Sequence, residues 1–144
     1  MPYAIERQRV NSDRIRRDYH DPQVAISDKY LVEILYHSRY GNLEQSKPIV
    51  LRVVDLIMNV EIYRETIIYG REAEIDRPFI EGDTAVFSIN NAVYVLDMSS
   101  SHINEIPMLR TNTIIGLYDR EIYFLNQNGN FSRCDLNGTN IITY

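Results

Sequence analysis

Apolar and polar positions along this chain follow two different rhythms, and the change falls near Gly82. From Ser27 or Asp28 to about Arg39, Leu31, Ile34 and Leu35 recur at the spacing that places side chains on one face of a helix, with Gly41 positioned to end it. Tyr30 and Tyr36 extend that apolar face. A shorter helix is predicted upstream, where Asn11 or Ser12 caps a run through Arg17 and His20-Asp21-Pro22 stops it. Pro48 opens the most apolar stretch, PIVLRVVDLIM, whose spacing permits a helix with Val50, Val53, Val54, Ile57 and Met58 turned inward. Its β-branched residues also suit a strand, and the helix is favoured only slightly. Residues 60–70, VEIYRETIIYG, alternate as an extended segment buried on one side.

Beyond Gly82 the apolar pieces become short and are punctuated by Asn, Asp, Ser and Gly. Residues 84–89 and 92–96 read as successive strands about Asn90-Asn91, whose side chains tolerate a tight reversal. Residues 103–109 supply a further short edge element, since Pro107 lacks a sheet donor and suits an edge or bulge. The same arrangement returns 29 residues later, TAVFSINNAVYVLD being answered by TIIGLYDREIYFLN. FSRCDL and TNIITY follow, introduced by Asn128-Gly129 and Asn137-Gly138, dipeptides in which both residues can take positive φ and so match the twist of a hairpin. Four strands in one antiparallel meander are predicted over 113–144.

Two segments of that second copy, Ile122-Tyr123-Phe124-Leu125-Asn126 and Asp135-Leu136-Asn137-Gly138-Thr139-Asn140, resemble blade repeats of YWTD-type and TolB-like β-propellers. The resemblance covers roughly 113–144, with a weaker echo at 84–109; Phe124 stands where the four-residue pattern has Trp, and Leu125 and Asn126 replace its Thr and Asp. It implies a blade-like sheet and brings no functional residues with it. A propeller needs at least about four radially packed blades, and the β-rich stretch holds one or two, so a closed propeller is not expected. The expected architecture is α+β, with N-terminal helices packed on a C-terminal antiparallel meander. Residues 1–144 are read as a single compact domain, with an arm at 1–20, a mixed helix and strand region at 21–81 and a β-rich repeat region at 82–144.

Charge changes the picture at the N-terminus. Residues 1–20 hold five arginines against three acids, although the chain as a whole carries a formal net charge of -5. The arm, with Arg14, Arg16 and Arg17 at its centre, is therefore set to lie across an acidic body or to reach a protein partner. Nucleic acid is not the expected partner, because Asp13 and Asp18 dilute the field and no aromatic ladder accompanies it. No run of about 18 apolar residues is available to span a bilayer and the first residues lack the apolar core of a secretory signal, so an intracellular, cytoplasmic setting without membrane contact is expected.

Candidate chemistry is sparse. Cys134 is the single cysteine, which leaves no internal disulfide and no cysteine-rich metal cluster. His20, His37 and His102 match no zinc spacing, the glycines form no dinucleotide or phosphate loop, and acid pairs such as Glu72 with Glu74 read as solvated surface. Neither a catalytic residue, a metal nor a cofactor is assigned. Eleven tyrosines without a tryptophan point instead to contact surfaces, because a tyrosine packs its ring while presenting a hydroxyl to a partner. The expected function is a non-catalytic interaction or assembly module, binding a protein partner or a second copy of itself. Arg14, Arg16, Arg17, Tyr30, Tyr36, Tyr94, Tyr118 and Tyr123 are its candidate contacts. The alternative is a small enzyme or ligand-binding domain whose histidines and carboxylates converge only in three dimensions.

Overall fold

The computed structural model describes residues 20–36, 47–69 and 74–144. Among them are twelve β-strands, one short 3₁₀ turn at Pro107–Leu109 and no α-helix, so the expected α+β architecture with N-terminal helices is replaced by antiparallel sheet. The chain divides into two compact units, Met1–Ala73 and Glu74–Tyr144.

The first unit contains β1 (His20–Ile26), β2 (Tyr30–Tyr36), β3 (Lys47–Asp55) and β4 (Val60–Tyr69), each paired with the next in one four-stranded sheet. Both helices expected here are strands. Residues 30–36 form β2, in which Val32, Glu33, Ile34 and Leu35 are all buried, and Ile49 through Asp55 of β3 are buried without interruption. A central strand covered on both faces has no polar side, so its continuous apolar run also fits a helical stripe. The β-branched residues of β2 and β3 then favour the pleat. The helix expected at 11–17 lies outside the described residues.

One charged pair sits inside this apolar sheet. Glu33 and Arg52 face each other across β2 and β3, and Arg52 Nε and Nη2 donate to Glu33 Oε2 at 3.2 and 3.1 Å. Both side chains are almost wholly buried. At the end of β3, Asp55 Oδ1 accepts the Ile57 and Met58 amides at 2.9 Å and shapes the turn into β4, where Asn59 takes positive φ. On β4 the Tyr63 hydroxyl donates to Glu65; burial, and then that carboxylate, raise the phenol's pKa above its ordinary value.

The second unit is built from two four-stranded meanders. The first comprises β5 (Phe79–Glu81), β6 (Thr84–Ile89), β7 (Ala92–Asp97) and β8 (His102–Glu105); the second comprises β9 (Thr113–Tyr118), β10 (Glu121–Leu125), β11 (Phe131–Asp135) and β12 (Ile142–Thr143). The strands follow the alternation expected from the sequence except in two places: β5 was not expected, and Pro107 opens the 3₁₀ turn so that β8 ends before it. The sheets share a core made by Val86, Val93, Ile106 and Leu109 with Ile122, Phe124 and Cys134.

The turns explain the local order. Asn90-Asn91 and Asp119-Arg120 are two-residue reversals with positive φ at both positions. The Asn-Gly sites work differently, since only Gly129 and Gly138 turn to positive φ. There a residue at the strand end does the capping: Asn126, just past β10, accepts the Asn128 and Asn130 amides on Oδ1, and Asp135, the last residue of β11, accepts those of Asn137 and Thr139 on Oδ1, all at 2.9 to 3.0 Å. Asp135 Oδ2 also takes the Thr139 hydroxyl at 2.6 Å and the Asn140 side-chain Nδ2 at 2.9 Å. Such local side-chain bonding is why Asx residues nucleate turns.

Those bonds, led by Thr139 and followed by Asn140 and Asn137, lower the Asp135 carboxyl to about 2. An unfolded aspartate titrates near about 4, so this contribution is present above that pH and is lost as pH falls through about 2. Loop 135–140 is expected to loosen over that interval. Faster exchange of the Thr139 amide below about pH 4, in step with the Asp135 carboxyl resonance, checks it; exchange that ignores the titration refutes it.

Candidate functional site

The two sheets of Glu74–Tyr144 are stacked, and comparing their faces locates the candidate site. In the first sheet Val86 pairs with Val95, and Ser88 with Val93; in the second Tyr123 pairs with Arg133, and Leu125 with Phe131. Just past the third strand of each sheet, Asp97 Oδ1 takes the Ser99 amide and Asp135 Oδ1 takes the Asn137 amide. Just past the fourth, the Ile106 amide donates to the Val93 carbonyl at 2.8 Å and the Tyr144 amide to the Phe131 carbonyl at 2.9 Å. Val93 therefore stands where Phe131 stands, Val95 where Arg133 stands, and Ile106 where Tyr144 stands. This equivalence differs from the 29-residue match in the sequence, which sets β6 and β7 against β9 and β10, strands at different places in their sheets.

What covers this face in the first sheet is the second sheet. Ile122, Phe124 and Cys134 press on Val86, Val93 and Ile106, and the partly buried Ile114, Leu117 and Leu136 complete the contact. Glu81, at the end of β5, accepts the Asp119 and Arg120 amides at 2.8 and 3.0 Å, clamping the β9–β10 turn. Gly138 comes so close that an added Cβ would lie 2.6 Å from Ile106 Cγ2. Glu81→Ala is expected to cost roughly 1 kcal/mol, the scale of such exposed hydrogen bonds, and to release the amides of Asp119 and Arg120 first in hydrogen exchange. Unchanged exchange at these two amides would show that the clamp is not needed.

The equivalent face of the second sheet is open. Val93 is fully buried whereas Phe131 is 40% exposed, and Ile106 is 4% exposed against 65% for Tyr144. The open face is an aromatic row: the Tyr123 and Phe131 rings lie 5.8 Å apart, Phe131 and Tyr144 5.3 Å apart, and the Arg133 guanidinium stands 5.9 Å from the Tyr144 ring. Arg133 Nη1 donates to Glu121 Oε2 at 2.9 Å, while Arg133 Nε is enclosed without an acceptor among the described residues. Ile142 and Leu125 add exposed apolar surface, and Tyr118, which stands in β9 where Glu81 stands in β5, projects at 69% exposure. Aromatic rings with an arginine, ringed by polar loops, are what protein interfaces concentrate.

The reverse side of this sheet is chemically quiet. Cys134 is buried there, and burial, then the negative charges of Asp135 and Glu121, push its thiol up to about 11. Ser132 beside it is buried and within 3.0 Å of the Thr143 hydroxyl. Cys134 is expected to resist a thiol reagent at pH 8 in the folded chain and to react fully in denaturant. Prompt labelling without denaturant would contradict its burial.

Of the candidates read from the sequence, Tyr118 and Tyr123 meet on the open face. Tyr30 is buried in the first unit, and Tyr94 stacks on Phe87 on the other side of β7, with ring centres 5.6 Å apart. Tyr36 ends β2 with its side chain outside the described residues, as are Arg14, Arg16 and Arg17. Phe131, Arg133 and Tyr144 were not among the candidates; their signal is the alternation of FSRCDL, which shows two faces without saying which is covered. His102 is exposed at the start of β8, His37 lies outside the described residues, and no three His, Cys, Asp or Glu residues among those described are grouped to hold a metal. No helix among the described residues is long and apolar enough to cross a membrane. Comparison with protein-family models, with curated proteins and with solved structures found no match.

Proposed function

We propose that this chain is a non-catalytic protein-interaction or assembly module whose contact surface is the open face of its C-terminal sheet. A single observation carries the reading: the face bearing Tyr123, Phe131, Arg133 and Tyr144 holds the position that, in the preceding sheet, is buried under another sheet. An aromatic sheet face that is solvated on one sheet and packed on its equivalent is complementary to protein. The blade-like character of 113–144 belongs to the same proposal and is supported by two successive meanders stacked face to face.

The test is site-specific photo-crosslinking in the cell of origin, with a benzophenone amino acid at Phe131 or Tyr144 and, as controls, at Asn128 in the β10–β11 loop and at Met58 in the other unit. A discrete adduct of defined mass from the two face positions, absent from the controls and lost in Arg133→Glu, is expected. Equal, diffuse labelling from all four positions would remove the reading.

A further inference from the structure

The chain holds two Asn-Gly dipeptides, and both sit in turns built on one backbone plan. In the first, the Asn126 amide donates to the Asn130 carbonyl at 3.0 Å and the Gly129 amide to the Asn126 carbonyl at 2.9 Å. In the second, the Asp135 amide donates to the Thr139 carbonyl at 3.0 Å and the Gly138 amide to the Asp135 carbonyl at 3.1 Å. Asn128 and Asn137 are both exposed, and the glycine after each has nearly the same φ, 79° at Gly129 and 78° at Gly138.

The surroundings of the two glycines differ. Gly129 is exposed, and a Cβ built on it would meet nothing within 4 Å. Gly138 is buried, and a Cβ there would lie 2.6 Å from Ile106 Cγ2 and 2.9 Å from Met108 Cγ. Its turn is also held by the Thr139 hydroxyl and Asn140 Nδ2 on Asp135 Oδ2, whereas Asn126 has no second carboxylate oxygen to offer the first turn.

We infer that Asn128-Gly129 is a site of spontaneous deamidation and isoaspartate formation in the folded chain, and that Asn137-Gly138 is protected from the same reaction by the packing around its glycine.

The chemistry needs only water and hydroxide. Hydroxide takes the Gly129 amide proton, and the nitrogen attacks Cγ of Asn128. The new N–Cγ bond closes a five-membered succinimide while the Cγ–Nδ2 bond breaks, and Nδ2 leaves as ammonia with a proton from water. Water then opens the ring at either carbonyl to give aspartate or isoaspartate, with no change of oxidation state. Glycine favours the attack because no side chain shields its nitrogen.

Before it can attack, the Gly129 nitrogen must leave the Asn126 carbonyl, so the rate follows local opening of the turn. Opening the second turn also breaks the Asp135 Oδ2 bonds and lifts Gly138 from Ile106 and Met108. The isoaspartyl product, which carries one more methylene in the main chain, fits the open turn and finds no space at Gly138. At Asn128 the product places a new carboxylate in the turn that leads into Phe131 of the open face.

The experiment is peptide mapping by mass spectrometry of the full chain aged in mildly alkaline buffer, folded and in denaturant. Trypsin cleavage after Arg120 and Arg133 puts Asn128 and Asn137 on different peptides. In the folded chain, aspartate and isoaspartate are expected to accumulate at Asn128 at least about tenfold faster than at Asn137. In denaturant the two sites react at similar rates, because both are Asn-Gly. Met108→Ala, at an exposed position, raises the rate at Asn137 and leaves that at Asn128 unchanged. Equal rates at the two sites in the folded chain, a faster reaction at Asn137, or an Asn128 that reacts only in denaturant overturns the inference.

Discussion

Arg52→Met is expected to destabilise the first unit by about 3–5 kcal/mol, the largest effect of any single charge replacement among the described residues. Methionine leaves room similar to that of the arginine stem but takes the guanidinium from Glu33, whose side chain is only 2% exposed. The carboxylate then remains on a sheet face whose neighbouring positions are Leu35, Val50 and Val54, all buried. Water cannot replace the lost donors without opening the sheet, which is why removing one member of a buried pair costs more than removing both. The double change Glu33→Leu with Arg52→Met removes both charges together and should recover most of the loss, because the attraction within a buried pair is largely spent on its own desolvation. Urea unfolding followed by amide exchange in β2 and β3 distinguishes the cases. A loss below about 1 kcal/mol for Arg52→Met would mean that the pair is solvated.

Phe124→Ala is expected to cost about 3–5 kcal/mol in the second unit, by removing the largest side chain that the second sheet sends into the shared core and leaving a cavity against Val86, Val93 and Val95. Phe131→Ala, one strand away and on the opposite face, should cost less than about 1 kcal/mol in the monomer, because its ring already meets solvent. The contrast tests the assignment of faces directly. Equal losses from the two changes, read by thermal unfolding at low protein concentration, would show that the ring of Phe131 is as deeply engaged as that of Phe124.

How much of this was legible beforehand depends on what each residue pattern encodes. Short alternating strands separated by Asn, Asp and Gly carry their own boundaries, which is why residues 84–89, 92–97, 113–118 and 121–125 were read close to where they lie. Asp135 through Asn140 bond mainly to one another, so that turn was local information, although its mechanism was the aspartate cap and not a pair of positive-φ residues. Strands β2 and β3 were misread because a strand buried on both faces loses the period of two that identifies it. The 29-residue match was a match of hairpins: Asn90-Asn91 and Asp119-Arg120 make the same kind of turn at different places in their sheets.

The sequence by itself determined the strands and turns of residues 82–144, the single thiol, the sparse catalytic inventory and the tyrosine-rich character of the chain, because each rests on residue chemistry or on contacts between near neighbours. Only the tertiary structure decided that Glu33 meets Arg52, that Glu81 holds the turn at Asp119-Arg120, and that Tyr118 and Tyr123 share an open face with Phe131, Arg133 and Tyr144. Alternation assigns side chains to two faces but leaves the faces equivalent. Which is buried is settled by the register of strands and by the sheet stacked on one side, both of which join residues far apart in the chain.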